Sequence, residues 1–149
     1  MSPHAEIFLP SVLVPDSATL DTNSLDAIHL FVVDWEFAQF GHRAYDIGQM
    51  IGDLYERKHF RNVDAAIWTL EGFVDGYGAM NDDMAFRTAI HAGVQLICWY
   101  IRRDPKSPLP CPYEQAAVAI KLGTEFVAKG WEKDKTWFKG TVLAGLFRE

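Results

Sequence analysis

The stretch HLFVVDWEFAQFGHRAYDIGQM, residues 29–50, decides how the rest of the chain is interpreted. It begins inside an apolar, β-branched run of strand length, and that run leads into the acidic residue Asp34. A second acid, Glu36, follows an aromatic residue, and a glycine-containing turn then opens a helical pattern that carries Asp46. A carboxylate at the end of a strand is held rigidly beside the open space of a turn, so this arrangement is typical of a functional site.

Spacing alone leaves the roles of these acids open. Asp34 suits a divalent metal ligand and suits a turn or cap residue about equally well. Glu36 points to the same side of an extended backbone as Asp34, so it either helps to hold an ion or faces water. Asp46 lies one turn into a helix, where the helix dipole favours an acid and a ligand role is the less common one.

The first forty residues predict a β-hairpin. Two apolar runs, FLPSVLV (8–14) and IHLFVVDW (28–35), flank a segment rich in Asp, Ser, Thr and Asn, which are turn-forming residues. We therefore expect a small hairpin with a long exposed tip.

From residue 42 onward the apolar residues recur with a helical period, which predicts about five helices. The first is expected over 42–59, and Asn62 and Asn81 are expected to cap the second and the third. A proline-rich loop precedes a fourth helix over 113–129, and a last helix is expected over 131–147. The expected inward-facing residues are Ile47, Met50, Ile51, Leu54, Tyr55, Val63, Ile67, Leu70, Val74, Tyr77, Phe86, Ile90, Val94, Ile97, Ile101, Val118, Leu122, Phe126, Phe138, Val142 and Leu146. The fold class is mainly α (α+β), in a single domain over residues 1–149.

Composition excludes several classes of function. The net charge of −6 and the pI near 5.3 argue against a surface for nucleic acid or anionic membrane, because no basic block is present to neutralise phosphates. No apolar run approaches the roughly 18 residues that span a bilayer, and the amino terminus does not have the pattern of a secretory signal. Cys98 and Cys111 show no metal-ligand spacing, which favours free thiols and a cytoplasmic location.

The segment VVDWEFAQFGHRAYDIGQM, residues 32–50, resembles the metal-binding segment of the aminoglycoside phosphotransferase and choline-kinase-like family. The sequence pattern of that family begins with an apolar run that is followed by D-W-E or D-F-E. A glycine-containing turn comes next, and then the pair Y-D followed by Ile, Leu or Val. The resemblance implies that Asp34 holds Mg²⁺ bridging the ATP phosphates and so neutralises charge that develops during phosphoryl transfer. It implies a structural role for Asp46, which would accept hydrogen bonds from the backbone of the catalytic loop.

The same family carries a catalytic loop, H-G-D-x-x-x-x-N, just before the hairpin, and residues 4–11, HAEIFLPS, align with it without a gap. His4 matches the family His, whereas Glu6 occupies the position of the catalytic Asp and Ser11 that of the Mg²⁺-binding Asn. Glu is longer than Asp by one methylene, and a displacement of about 1 Å can cost ~10²-fold in rate. We therefore interpret 1–41 as a degenerate catalytic loop plus hairpin; the alternative is an unrelated amino-terminal arm.

The resemblance covers essentially the whole chain but only the C-terminal half of the family's fold, a kinase-like helical lobe represented here by 42–149. The chain has no glycine-rich loop and no strand-borne Lys with an upstream sheet, so the N-terminal ATP lobe is expected to be absent. Mg²⁺ and ATP are the family's cofactors, and firm binding by this chain alone is not expected. An apolar face near Ile7–Leu9, Trp35 and Phe37 would be left uncovered, open to a protein partner or to self-association.

Three functional hypotheses follow. The first is a truncated, catalytically inactive phosphotransferase relative of the pseudokinase kind, acting as a binding or regulatory module or persisting as a remnant. The second is a small-molecule kinase completed by another polypeptide or by a longer natural transcript. In it Glu6 is the base, Asp34 and Ser11 bind Mg²⁺, and the acceptor is an amino alcohol, sugar or aminoglycoside-like compound. The third is a helical interaction protein in which Asp34 only caps a turn.

Aromatic and histidine side chains carry weaker signals. Aromatic residues at helical spacing are more often core than pocket lining, and the alternative that they line an acceptor pocket stays open. The residues concerned are Trp99, Tyr100, Trp131, Trp137 and Phe138. His42, His59 and His91 lack paired ligand spacing and are expected to be ordinary surface or cap histidines.

Overall fold

The structure, a computed structural model, describes residues 41–101, 104, 106–109 and 111–148, with the backbone alone for 99–101. The predicted β-hairpin lies outside these residues. The described part is helical: α1 spans Arg43–Arg61, α2 Ala65–Tyr77, α3 Asp82–Ile101, α4 Tyr113–Glu132 and α5 Lys135–Phe138, and a 3₁₀ helix spans Ala144–Phe147. The prediction of a mainly helical body is confirmed for this region.

Helix α3 is the centre of the packing, with α1 on one side and α4 on the other. Both neighbours approach closely because glycines stand at the crossings. A Cβ added to Gly93 would lie 2.4 Å from the carbonyl oxygen of Gly123, a distance that no real Cβ tolerates. Helix α2 packs on α1, and the 3₁₀ helix contacts α2, α3 and α5.

The core at the N-terminal end of α3 is built from aromatic rings. Phe86 lies 4.9 Å from Phe147 between ring centroids, and Phe147 stacks on Phe138 at 4.8 Å. Phe126 of α4 completes the cluster at 6.1 Å from Phe138. All four side chains are 5% exposed or less, so this cluster ties α3, α4, α5 and the 3₁₀ helix together.

The boundary between α1 and α2 differs from the prediction. Asn62 is not the N-cap of α2; it adopts the left-handed conformation, φ 52°, and its N–H donates to the Lys58 carbonyl at 3.0 Å, which ends α1. Helix α2 then begins at Ala65 after Asp64. The expected inward positions Val63 and Tyr77 are 42% and 37% exposed, so that part of the pattern was wrong.

Helix α3 begins as predicted. The Asn81 side chain accepts from the Met84 backbone N–H at 2.9 Å, so the Asn81 cap is confirmed. Phe86 is buried as expected, whereas Val94 is 41% exposed and was wrongly placed in the core.

The C-terminal third departs most from expectation. Helix α4 begins at Tyr113 as predicted but continues through Gly130 to Glu132, and Lys133 ends it in the left-handed conformation, φ 56°. The single helix predicted over 131–147 is wrong: Asp134 caps the short α5, accepting from the Trp137 N–H at 3.1 Å, and a turn separates α5 from the 3₁₀ helix. Val118, expected inside, is 55% exposed, whereas Phe126, Phe138 and Leu146 are buried as expected.

Two further expectations are tested in the described residues. Cys98 and Cys111 are free thiols, as predicted. Each helix in this part of the chain is too short or too polar to traverse a lipid bilayer.

Candidate functional site

The described end of the Asp34–Asp46 segment is the first turn of α1. His42 is the N-cap, and its Nδ1 accepts from the Ala44 backbone N–H at 3.3 Å. Asp46 lies in this first turn and is exposed, where the partial positive charge of the helix N-terminus favours a carboxylate. The helix predicted to follow the turn is therefore present, with the Tyr-Asp pair in its first turn.

Helix α3 brings a second set of polar groups to this place. The Tyr45 ring contacts the His91 ring edge-on, with 5.4 Å between centroids. Arg87, one turn before His91, donates to Asp83 at 2.8 Å. We call the group His42, Tyr45, Asp83, Arg87 and His91 the α1–α3 corner.

Glycine in α1 makes this contact possible. A Cβ on Gly48 would lie 2.5 Å from the His91 Cβ and 2.7 Å from the Thr88 carbonyl oxygen. Only glycine lets α1 approach α3 so closely, and the close approach fixes Tyr45, one turn earlier, against His91.

Electrostatics in the corner follow from burial and from neighbouring charges. Burial lowers the pKa of His91 below its ordinary value of 6.5, and the nearby His42 and Arg87 lower it further. The hydrogen bond from Arg87 lowers the pKa of Asp83, and the Arg87 charge acts in the same direction. At neutral pH the corner therefore offers a neutral imidazole, a phenol and an exposed ion pair.

The described residues of this region form no metal-binding cluster. No group of three or more His, Cys, Asp or Glu side chains among the described residues could hold a metal ion. Of the predicted site residues, the catalytic positions His4 and Glu6 and the metal positions Ser11, Asp34 and Glu36 lie outside the described residues and stay predictions. Asp46 is placed at the start of α1, and its predicted hydrogen bonds to the catalytic loop stay a prediction as well.

Three histidines were predicted to be ordinary surface or cap residues. His42 is a cap, as expected. His59 contacts the Gln115 carbonyl oxygen through Nε2 at 2.8 Å, and the Gln115 side chain donates to the His59 carbonyl at 2.5 Å, which ties the end of α1 to the start of α4. The contact of His91 with Tyr45 was missed, because the pairing of residues 46 positions apart depends on the register of the helix crossing.

The aromatic residues divide between core and surface. Phe138 is fully buried, as the core interpretation predicted, and Trp137 packs on Phe126 at 6.0 Å. Trp131 is 82% exposed and fits neither the core nor a pocket. The side chains of Trp99 and Tyr100 lie outside the described part of the structure.

A small cavity of about 130 Å³ lies between α2 and the 3₁₀ helix. Its polar lining comes from Glu71, Thr141 and Arg148, and Arg148 is paired with Asp75 of α2. The cavity contains none of the predicted site residues, and its size suits a few water molecules rather than a nucleotide.

Comparison with known proteins finds a similarity to a phosphotransferase. No protein-family model matches the chain, and no solved structure matches it. The chain is 33% identical over 138 residues to "Phosphotransferase FrzJ" from Cladobotryum sp.. That alignment covers 92% of this chain and 34% of the relative, so the chain spans about a third of the relative's length. The chain is thus a homologue of part of a phosphotransferase.

Proposed function

We propose that this chain is a helical portion of an ATP- and Mg²⁺-dependent phosphotransferase of the aminoglycoside phosphotransferase and choline-kinase-like type, and that the 149 residues alone do not transfer phosphate. The observation that carries the proposal is the similarity to a phosphotransferase along nearly the whole chain, 33% over 138 residues. An identity of this level across five helices and the preceding motif reflects common ancestry rather than shared composition.

The start of α1 supports the same assignment. The proposed metal-binding segment requires a helix to open directly after the turn, with Tyr45 and Asp46 in its first turn, and α1 begins at Arg43. The corner formed with α3 then gives that turn a rigid support, which a site for phosphate chemistry needs. In this proposal Asp34 binds the ion, and Asp46 orients the catalytic loop.

The loop itself carries the argument against activity of the isolated chain. Glu6 stands in place of the catalytic Asp, and Ser11 in place of the Asn that binds Mg²⁺. Ser offers one neutral oxygen on a shorter side chain, so it holds Mg²⁺ more weakly than a carboxylate or a well-placed amide. Phosphoryl transfer depends almost wholly on positioning and charge, so both changes act on the step that matters.

A binding or regulatory role then follows for the isolated chain. Its partner would be a protein, or a second copy of the chain, that covers the apolar residues expected around Ile7–Leu9, Trp35 and Phe37.

The second candidate is an active small-molecule kinase completed by a separate polypeptide. The relative's name, phosphotransferase, favours it. Glu6 would act as the base and Asp34 would hold Mg²⁺, with the hydroxyl of an amino alcohol, a sugar or an aminoglycoside-like compound as acceptor.

Isothermal titration of the purified chain with Mg²⁺-ATP separates these candidates. Dissociation constants of about 1 mM or weaker in both the natural chain and Asp34→Ala agree with the inactive module. Tighter binding that Asp34→Ala abolishes, and that the matched surface change Glu71→Ala on α2 leaves intact, favours the kinase. Tight binding that survives Asp34→Ala contradicts the assignment of Asp34 in both.

A further inference from the structure

His42 begins α1 through a hydrogen bond that only a neutral imidazole can make. Its Nδ1 accepts from the Ala44 backbone N–H at 3.3 Å, and its carbonyl accepts from the Tyr45 N–H at 2.9 Å. A neutral imidazole has one acceptor nitrogen, so the proton of this ring is on Nε2. Protonation converts Nδ1 into a donor, which cannot pair with another N–H. The side-chain cap of α1 is therefore lost when His42 is protonated.

The position of His42 at the start of a helix adds a second effect in the same direction. The N-terminus of a helix carries a partial positive charge, which disfavours a cation at the cap. Asn, Ser and Thr are common N-cap residues that accept a hydrogen bond and stay uncharged in acid. A histidine cap differs from these, because it stabilises the helix only while its ring is neutral.

The second histidine of the α1–α3 corner responds to acid in the same way. His91 is half-buried, and its ring meets the Tyr45 ring edge-on at 5.4 Å. Burial lowers the pKa of His91, and the charges of His42 and Arg87 act in the same direction. The corner is therefore built around two neutral imidazoles, which repel each other when both are protonated.

The other charges near these rings are mixed in sign and exposed. Asp83 is the acid of α3 that attracts a proton to His42, but it already accepts from Arg87 at 2.8 Å. Water screens the attraction of an exposed carboxylate, so the lost hydrogen bond decides the response of the cap. The charged groups of the described chain in this neighbourhood are Arg43 and Asp46 on α1, Asp83 and Arg87 on α3, and Lys133 at the end of α4.

Opening can be confined to the first turn of α1. Of residues 43–46, Ala44 alone is buried, and its methyl group contributes little apolar burial. The next turn is fixed by packing, because a Cβ added to Gly48 would lie 2.7 Å from the Thr88 carbonyl oxygen of α3. The first turn therefore depends on its cap, whereas the rest of the helix depends on its contact with α3.

We propose that the α1–α3 corner is a pH-dependent switch, in which protonation of His42 removes the cap, opens the first turn of α1 and releases Tyr45 from His91. Histidine changes charge between about pH 5 and pH 8, so the turn is closed at neutral pH and opens on acidification. The switch rests on the described contacts and goes beyond the proposed function. One consequence does rest on that function: opening the turn displaces Asp46, the residue proposed to orient the catalytic loop.

Amide hydrogen exchange of the full chain at pH 7 and pH 5, followed by NMR, tests the switch. After correction for the intrinsic exchange rate at each pH, the protection factors of residues 44–47 should fall about fivefold or more, the factor that corresponds to losing one N-cap. Protection that is unchanged at 44–47, or that falls by the same factor throughout α4, overturns the proposal. The measurement uses no nucleotide, so a negative result leaves the proposed function standing.

Two variants identify the histidine responsible. His42→Asn keeps a side-chain oxygen that accepts from the Ala44 N–H and does not titrate, so the fall in protection should be less than about twofold. The matched control is His59→Gln, which changes the histidine at the other end of α1 and should respond to pH as the natural chain does. A full response in His42→Asn, or a response abolished by His59→Gln, contradicts the assignment. Circular dichroism verifies that both variants remain folded.

Discussion

Two regions of this molecule hold α3 in opposite ways. Along the crossings with α1 and α4, glycines bring backbones together, so that an added Cβ on Gly93 or Gly123 would lie 2.4–2.6 Å from a carbonyl oxygen. At the N-terminal end of α3, the large rings of Phe86, Phe126 and Phe138 fill the space between four elements. The glycine crossings therefore do not tolerate added side-chain atoms, whereas the aromatic cluster does not tolerate the removal of side-chain atoms.

This difference between the glycine crossings and the aromatic cluster bears on function, because the α1–α3 corner is held by a glycine crossing. A side chain added at a glycine crossing would move a whole helix, whereas an atom removed from the aromatic cluster leaves a local cavity. The candidate site is therefore positioned by the backbone approach, and the stability of the fold depends most on the aromatic cluster.

The largest expected effect is in the aromatic cluster. Phe138→Ala removes a fully buried ring that contacts three other phenylalanine rings and one tryptophan ring, and it should lower the free energy of unfolding by about 3–5 kcal/mol. Urea unfolding followed by circular dichroism measures the loss. Trp68→Ala, at a 71% exposed position, should change stability by about 0.5 kcal/mol or less. Equal losses in the two variants would contradict the assignment of the core.

The next effect is at a glycine crossing. Gly123→Ala places a Cβ 2.6 Å from the Gly93 carbonyl oxygen and should cost about 1–3 kcal/mol of unfolding free energy. Gly72→Ala in α2, where nothing lies within 4 Å of the added atom, should instead stabilise by about 0.5–1 kcal/mol through higher helix propensity. Chemical denaturation of both variants checks the sign, and a stabilising Gly123→Ala would show that the close α3–α4 approach is wrong.

The same reasoning applies to the corner. Gly48→Ala should separate α1 from α3, expose His91 to water, and raise the pKa of His91 toward 6.5. An NMR titration of the His91 ring protons in the natural chain and in Gly48→Ala measures this shift. A His91 pKa that is unchanged by the substitution would indicate that the ring is not held by the helix crossing.

The smallest effect is on pH dependence. The pKa of His91 is lower in the folded chain than its ordinary value of 6.5, so between these two values the unfolded chain binds more protons. His91 therefore makes the free energy of unfolding rise as pH increases through this window. Below the folded-state pKa, the destabilisation caused by burying the protonated ring is fully present. The free energy of unfolding of the natural chain and of His91→Gln should be measured at pH 5 and at pH 7. The natural chain should gain stability relative to His91→Gln between pH 5 and pH 7, and the opposite trend would contradict the burial of His91.

Much of the helical body was predictable because its signals are local. The Asn81 cap, the proline before α4, and the apolar period of α1 placed three helices to within a few residues of their observed ends. Asn62 misled because Asn suits both an N-cap and a left-handed C-cap, and only the tertiary path decides between them. The fourth helix was predicted to end at Lys129, whereas Gly130 lies inside α4 and faces Ile90 across the α3 crossing.

Only part of the candidate site was predictable from the sequence. The position of Asp46 at the start of α1 followed from the motif, because a turn and a helix period adjoin there. The partnership of Tyr45 with His91 did not, since it depends on which residues of two helices meet at a crossing. Exposed apolar residues such as Val94 and Val118 show the same limit: the period predicts a face but not its width.

The central proposal is that this chain, a homologue of part of a phosphotransferase, does not transfer phosphate by itself. Phosphorus NMR of Mg²⁺-ATP, incubated with the purified chain and a set of amino alcohol, sugar and aminoglycoside acceptors, tests it directly. The account predicts that the γ-phosphate signal decays no faster with the chain than in buffer. A decay proportional to chain concentration, with a phosphorylated acceptor that is not formed by Asp34→Ala, would contradict it.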